Sequence, residues 1–203
     1  MDHAYEVLKF WFGPKPYTPA RLDERMAFWF GTTDTREVLA QKDQEISERF
    51  GTVVDRAAAG DLNHWADSPR QRLALILLLD QFPRHVYRGS AKAYASDTRA
   101  AQLALEGMQI AADAALAPVE RIFFYMPLQH AEVLELQEES VTAARRLLAE
   151  APEGTTAHFM NMLRFAELHR DIVVEHGRFP HRDAALGRQA TAAEIKYSLS
   201  GSK

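Results

Sequence analysis

Two short segments of this 203-residue chain hold most of the side chains with obvious chemistry. DQFPRHVYRGS (80–90) and EHGRFPHRDAALGRQ (175–189) share one plan. In each, a helix end runs through Phe-Pro into a basic loop, then reaches an Arg beside a Gly and a new helix. Together they contain Arg84, His85, Arg88, Arg178, His181, Arg182 and Arg188, in a chain whose formal net charge is -4. Guanidinium forks match carboxylate or phosphate bidentately, so if the loops converge they form an anion pocket with Arg84 and Arg178 as its clamp. The competing reading is that these arginines tie helix ends together, since cations are favoured at helix C-termini in any case. The shared plan also predicts that Phe82 and Phe179 enter one core.

Asp80 sits in the last turn of the apolar segment LALILLLDQF (73–82), where the helix dipole disfavours an anion by about 0.3–1 kcal/mol. A local rule broken in this way marks a site or a compensated ion pair. Arg84 or Arg88 is the expected partner, with Asp80 orienting the basic cluster. Two histidines join these candidates. His130, Leu134, Gln137 and Val141 fall on one stripe of a helix read from about Leu128. His158, Met162, Phe165, His169, Ile172 and His176 share a stripe of another. His130 and His169 therefore face packed interior or a groove, as hydrogen-bonded core residues or as proton-transfer groups suited to neutral pH. A helix start at Pro127 would place His130 in a first turn, where dipole, burial and arginines all favour the neutral ring, below the usual ~6.5. Asp80, His130 and His169 are the catalytic candidates.

Several chemistries are excluded. With no cysteine there is no disulfide framework, thiolate zinc site, iron–sulfur cluster or cysteine nucleophile. His169 and His176 lie about 10 Å apart along a helix, not at the i,i+4 spacing zinc enzymes favour. Neither a Glu-x-x-His pair nor a Gly-rich phosphate loop nor a G-x-S-x-G elbow is present. No metal and no cofactor are therefore expected. Glu132, Glu135, Glu138 and Glu139 read as a solvated helix face. A pI near 6.1 argues against general nucleic-acid binding. The apolar run from Leu73 to Leu79 is far shorter than the ~18 residues of a membrane span, and MDHAYE has no signal-peptide character. A cytoplasmic protein without a membrane partner is the expectation.

The elements that must position these residues read as helices throughout. Thr18-Pro19 and Ser68-Pro69 are N-caps followed by Pro at the first helical position, and Ser68/Gln71 and Thr191/Glu194 fit the capping box. Gly13, Gly31, Gly60, Gly107 and Gly177 each follow a helical run where a left-handed residue is wanted. Ten helices are predicted, near 3–12, 19–30, 35–50, 52–59, 69–82, 91–106, 118–126, 128–149, 156–176 and 192–199. No segment alternates as a strand does, so the class is all-α, with residues 1–203 as a single domain. LALILLLDQF is apolar on every side and should form the buried central helix. The echo of KFWFG (9–13) in AFWFG (27–31) predicts two aromatic helix ends locked into one core.

The chain resembles a bacterial family of unknown function, DUF924, essentially from end to end. The resemblance rests on FWFG, GDLNHWADSPRQRLALILLLDQFPRHVYRG, ERIFFYMPLQHAE and HRDIVVEHGRFPHRDAALGR. It implies a tetratricopeptide-like right-handed array of helical hairpins, and no reaction. Carried over position by position, it adds Gln81, Tyr125 and Glu132 to the candidates, beside Asp80, Arg84, Arg88, His130, His169, Arg178, His181, Arg182 and Arg188. His85 and Asp183 stand where the family pattern implies Asn, and Ala131 where it implies Ser. Two functions compete. One is a small anionic ligand, carboxylate or phosphate, held in the Arg/His pocket, with proton transfer by His130 or His169 in an enzymatic version. The other is a helical scaffold whose concave face grips a peptide or protein. A homodimer is compatible with either.

Overall fold

The helix over Pro69–Asp80 has no outward face: every residue from Leu73 to Leu79 is at most 2% exposed. The computed structural model describes residues 3–31 and 35–199. In order these form α1 (His3–Phe12), α2 (Pro19–Phe30), α3 (Arg36–Ala59), α4 (Pro69–Asp80), the single turn α5 (Pro83–Val86), α6 (Asp97–Gln109), α7 (Pro118–His130), α8 (Leu134–Ala149), α9 (Thr156–His176), the single turn α10 (Asp183–Leu186) and α11 (Ala192–Leu199). Short 3-10 turns occupy Asn63–Asp67, Ala91–Tyr94, Ala112–Ala115 and Pro180–Arg182. No strand occurs among the described residues, so the fold is all-α. None of the helices is long and apolar enough to cross a membrane.

Helices α1, α3, α6 and α7 pack around α4, and α8 and α9 extend the array from α7. The aromatic echo closes one end of this core. Trp11 meets Phe28 edge-on at 5.9 Å, Phe12 meets Trp29 at 5.8 Å, and both Trp29 and Phe30 reach Phe123 of α7. Trp29 Nε1 also donates to the carbonyl of Trp11, the last-turn group that an α-helix leaves unpaired. The caps on Thr18, Ser68 and Thr191 form as the sequence indicates.

Four expectations need correction. Residues 36–59 are one helix through Gly51, because burial of Ile46, Phe50, Val53 and Val54 outweighs the roughly 1 kcal/mol that an interior Gly costs. Gly107 is no cap but lies inside α6, where an added Cβ would stand 2.5 Å from the Phe124 ring and 2.8 Å from the Arg72 side chain. Gly31 ends α2 at φ -52°, not in the left-handed region. Pro127 does not begin a helix either. It sits inside α7, which continues to His130, and only then does the chain turn extended at Ala131. Buried Phe123, Phe124, Met126 and Leu128 hold that last turn, and the fully buried Gln137 caps it, donating to the carbonyls of Gln129 (2.7 Å) and Ala131 (2.6 Å).

Candidate functional site

Asp80, the last residue of α4, is completely buried, and three side chains converge on it. His130 Nδ1 lies 2.7 Å from Oδ1, Arg84 Nη1 lies 3.3 Å from the same oxygen, and Gln81 Nε2 donates to Oδ2 at 2.5 Å. Arg84 Nη1 also donates to the Asp80 carbonyl. Burial alone would raise the Asp80 carboxyl, but the charges of Arg84 and His130 and the bonds from His130 and Gln81 hold it well below the usual range. The predicted partner of Asp80 is thus Arg84, not Arg88.

Arg84 extends the network. Its other edge forks onto Asp97, Nη1 to Oδ1 at 3.1 Å and Nη2 to Oδ2 at 2.9 Å. Asp97 opens α6, where the helix dipole favours a carboxylate. Arg182, from the turn after Phe179, donates to the same Oδ2 at 3.2 Å. The two basic loops therefore meet, through Arg84 and Arg182 on one shared carboxylate. The ring of Tyr94 lies beneath both guanidiniums, 5.6 Å from Arg84 and 4.8 Å from Arg182. The Nε of Arg182 is buried with no hydrogen-bond partner among the described residues. Burial pushes the Asp97 carboxyl up, with Asp80 adding to the shift against the pull of the arginines.

A cavity of about 220 Å³ opens on this cluster, lined by Arg84, Arg88, Gly89, Ala93, Tyr94, His130, His169, His181 and Arg182. The imidazoles stand close together, with ring centroids of His130 and His169 6.2 Å apart and Phe179 between His169 and His181 in the contact chain. Burial is the main cause pushing all three below the ordinary histidine value. Arg84 adds to it for His130, and Arg182 adds to it for His181, which falls to about 4. For His130 this happens although it ends α7, where the dipole favours a cation, and although Asp80 pulls upward. The neutral ring donates Nδ1–H to Asp80 and keeps a lone pair on Nε2. His169 donates Nδ1–H to the Phe165 carbonyl at 2.8 Å, which leaves its Nε2 an acceptor as well.

The remaining predicted residues lie elsewhere. Arg178 forks onto Glu194 (2.6 and 2.9 Å) and reaches Asp183 (3.2 Å). Arg188 forks onto Glu132 (2.6 and 3.0 Å) and bonds Asp183 at 2.7 Å. Arg178 thus braces residues 177–194 internally and Arg188 fastens them to Glu132, so the arginine that meets Arg84 across a shared carboxylate is Arg182 rather than Arg178. Arg88 reaches the cavity wall but is paired with Asp43, which also accepts from His85 at 2.7 Å. Tyr125 donates to Asp113 at 2.5 Å and does not line the cavity. Of the two residues that depart from the expected Asn, His85 thus hydrogen-bonds Asp43 and Asp183 pairs with Arg178 and Arg188. Phe82 packs with Trp11 and Phe50 in the main core, whereas Phe179 joins Ile172 and Val173 in a separate cluster, so the single shared core does not form. Asp97, Tyr94 and Asp43 were missed; the signal for Asp97 was Ser96-Asp97, a helix start six residues later than the one read at 91.

Residues 7–201 match the model of a family described as "Bacterial protein of unknown function (DUF924)". The chain belongs to this family. Its fold is similar to that of a solved protein of unknown function from Agrobacterium tumefaciens, ATU0120, with 33% identity, 98% of each chain covered and a TM-score of 0.79. No curated protein matches the sequence.

In this DUF924 chain the cavity floor is close to charge-balanced. Arg84 and Arg182 face Asp80 and Asp97, and the neutral imidazoles add hydrogen-bonding capacity without charge. Such a floor can orient an anion, and His130, fixed by a buried carboxylate, can accept a proton at Nε2. Among the described residues no three His, Asp or Glu are grouped to hold a metal ion.

Proposed function

We propose that this protein, acting as one domain, binds a small carboxylate or phosphate ligand in the cavity between α5, α7, α9 and the turn at Arg182. In that reading Arg84 and Arg182 hold the anion and His130 exchanges a proton with it. The observation that carries this is the ordered chain His130–Asp80–Arg84–Asp97–Arg182, in which His130, Arg84 and Arg182 line the cavity and the two carboxylates stand behind them. Burying four charged groups is expensive, and a well-packed apolar replacement is often as stable. A structural pair would need one arginine and one carboxylate. Here two of each are aligned beneath an open space, and one of the carboxylates, Asp80, stands against the dipole of α4.

Thermal melts with inorganic phosphate, pyrophosphate, acetate and citrate test this. A ligand at about 100 times its dissociation constant adds ~2.7 kcal/mol, or about 5–10 °C for a chain of this size. Arg182→Met should cut the shift to about half or less. A wild-type melt unmoved by every anion would overturn the proposal.

A further inference from the structure

We infer that the ligand is an amphipathic acid: an anionic head in the Arg84/Arg182 cavity joined to an apolar body in the chamber on the far side of His130 and His169. The inference rests on the anion reading above and adds the chemical class.

That second chamber, of about 370 Å³, shares Arg84, Arg88, His130 and His169 with the first. The two spaces therefore adjoin across the imidazoles. Away from that shared wall the lining still holds Lys42, Gln81, His85 and Gln129, but one side of it is apolar. Trp29 and Phe30 come from α2, Leu39 from α3, Met126 from α7, and Met162 and Phe165 from α9. Methionines adapt their shape and favour contact with aromatic or alkyl groups. Phe165 stays 45% exposed at the edge of the chamber, which leaves its ring open to an apolar ligand body. A bare phosphate or acetate would occupy only the polar cavity and leave the apolar side of this chamber unfilled.

A third cavity, of about 520 Å³, shares Tyr94, His130 and Arg182 with the polar one and contains Ala101, Leu105, Val133 and Leu136, but Asp97 and Glu132 are in its wall. Neither the polar cavity nor the chamber beside α2 has any carboxylate among its described lining residues. An anion with an apolar body can span those two without meeting like charge, which assigns the tail to the chamber of Trp29 and Met162. Sites of this size, mostly apolar with a few convergent polar groups, suit small organic ligands.

Calorimetric titration with acetate, butanoate, hexanoate and octanoate, with inorganic phosphate alongside, reads this out directly on wild-type protein. Each methylene that enters the chamber should tighten binding by about 3- to 4-fold, with an increasingly negative heat-capacity change. Phe165→Ser and, separately, Met162→Gln should flatten the chain-length dependence while leaving acetate within about 2-fold; the exposed Phe165 makes the first the safer for folding. Arg182→Met should weaken every member of the series. Acetate or phosphate binding with no gain from a longer chain would overturn the amphipathic inference and leave the anion reading standing. Tightening with chain length that Arg182→Met leaves unchanged would overturn the anion reading. No binding by any probe would overturn both.

Discussion

The loops 80–90 and 175–189 are written in the same residues and are put to different uses. The first leaves α4, whose burial fixes its exit, and drops Phe82 among Trp11, Phe10 and Phe50. Arg84 is then one helical turn from Asp80 and has little choice but to pair with it. The second leaves α9 at Gly177, in the left-handed conformation at φ 69°, and seats Phe179 in a small cluster of its own. Its two outer arginines are consumed in holding the segment down, and only His181 and Arg182 face the cavity. A basic loop takes its role from the rigidity of the helix it leaves. Where the helix is rigid the arginine can serve a site; where the segment needs anchoring, the arginine becomes the anchor.

The largest expected effect separates the two phenylalanines. Phe82→Ala should cost about 3–5 kcal/mol, as large-to-small changes in tightly packed cores do. Phe179→Ala should cost less in global urea unfolding and appear as faster amide exchange and proteolysis between 177 and 199. Equal global losses would mean the second loop is as integral as the first.

Next come the arginines. Charged hydrogen bonds contribute about 1.5–3 kcal/mol, so Arg182→Met should weaken phosphate binding roughly 10- to 100-fold. Arg178→Met should leave it within about 2-fold while loosening residues 177–194. The reverse pattern would return the clamp to Arg178 and dismantle the comparison. His130→Gln is expected to be milder: an amide can still donate to Asp80, so the fold should persist and anion affinity fall about 5- to 10-fold. Binding equal to wild type would confine His130 to packing.

Those residues also show how far the sequence was readable. The apolar run of α4, the aromatic echo and the Asp80–Arg84 pair follow local rules, periodicity and i,i+4 spacing, and all three were legible. The fold class was legible for the same reason. Pro127 was misread because Pro more often starts a helix than survives in one, and nothing local reveals the buried ring of neighbours that holds it. That displaced His130 from the end of one helix to the start of the next, and hid its bond to Asp80, fifty residues away. Asp97 was hidden by the same kind of error in placing a helix start. The fates of Arg178 and Arg188 depended on Glu194 and Glu132, and Glu132 lies 56 residues from its partner. Ion pairs across such separations leave no periodic trace, so residue type marked the cluster but could not tell anchor from ligand site.

The smallest effect is on pH dependence, and it should divide the two regions by window. His181 has a folded-state value of about 4, held down by burial and by Arg182, against the usual 6.5. Between those values the unfolded chain binds a proton that the folded one does not, so stability is complete above about 6.5 and declines as pH falls toward 4. His130 and His169 are shifted in the same direction and add to the slope. In the second region Glu194 is lowered from 4.5 to about 2, first by its bond from Arg178 and then by the Thr191 amide. Its contribution is present above about 4.5 and is lost as pH falls toward 2. Amide exchange followed from pH 8 to 3 should therefore loosen the cavity wall, around His130 and His181, before residues 188–197. A bound anion would oppose only the first of these, because its charge raises the histidine values and draws protons in, so the affinity for acetate, which stays largely ionised over this range, should rise from pH 7.5 to 5.5. Acetate binding that weakens over that interval would mean the imidazoles do not face the anion, and the two loops would then differ in packing alone.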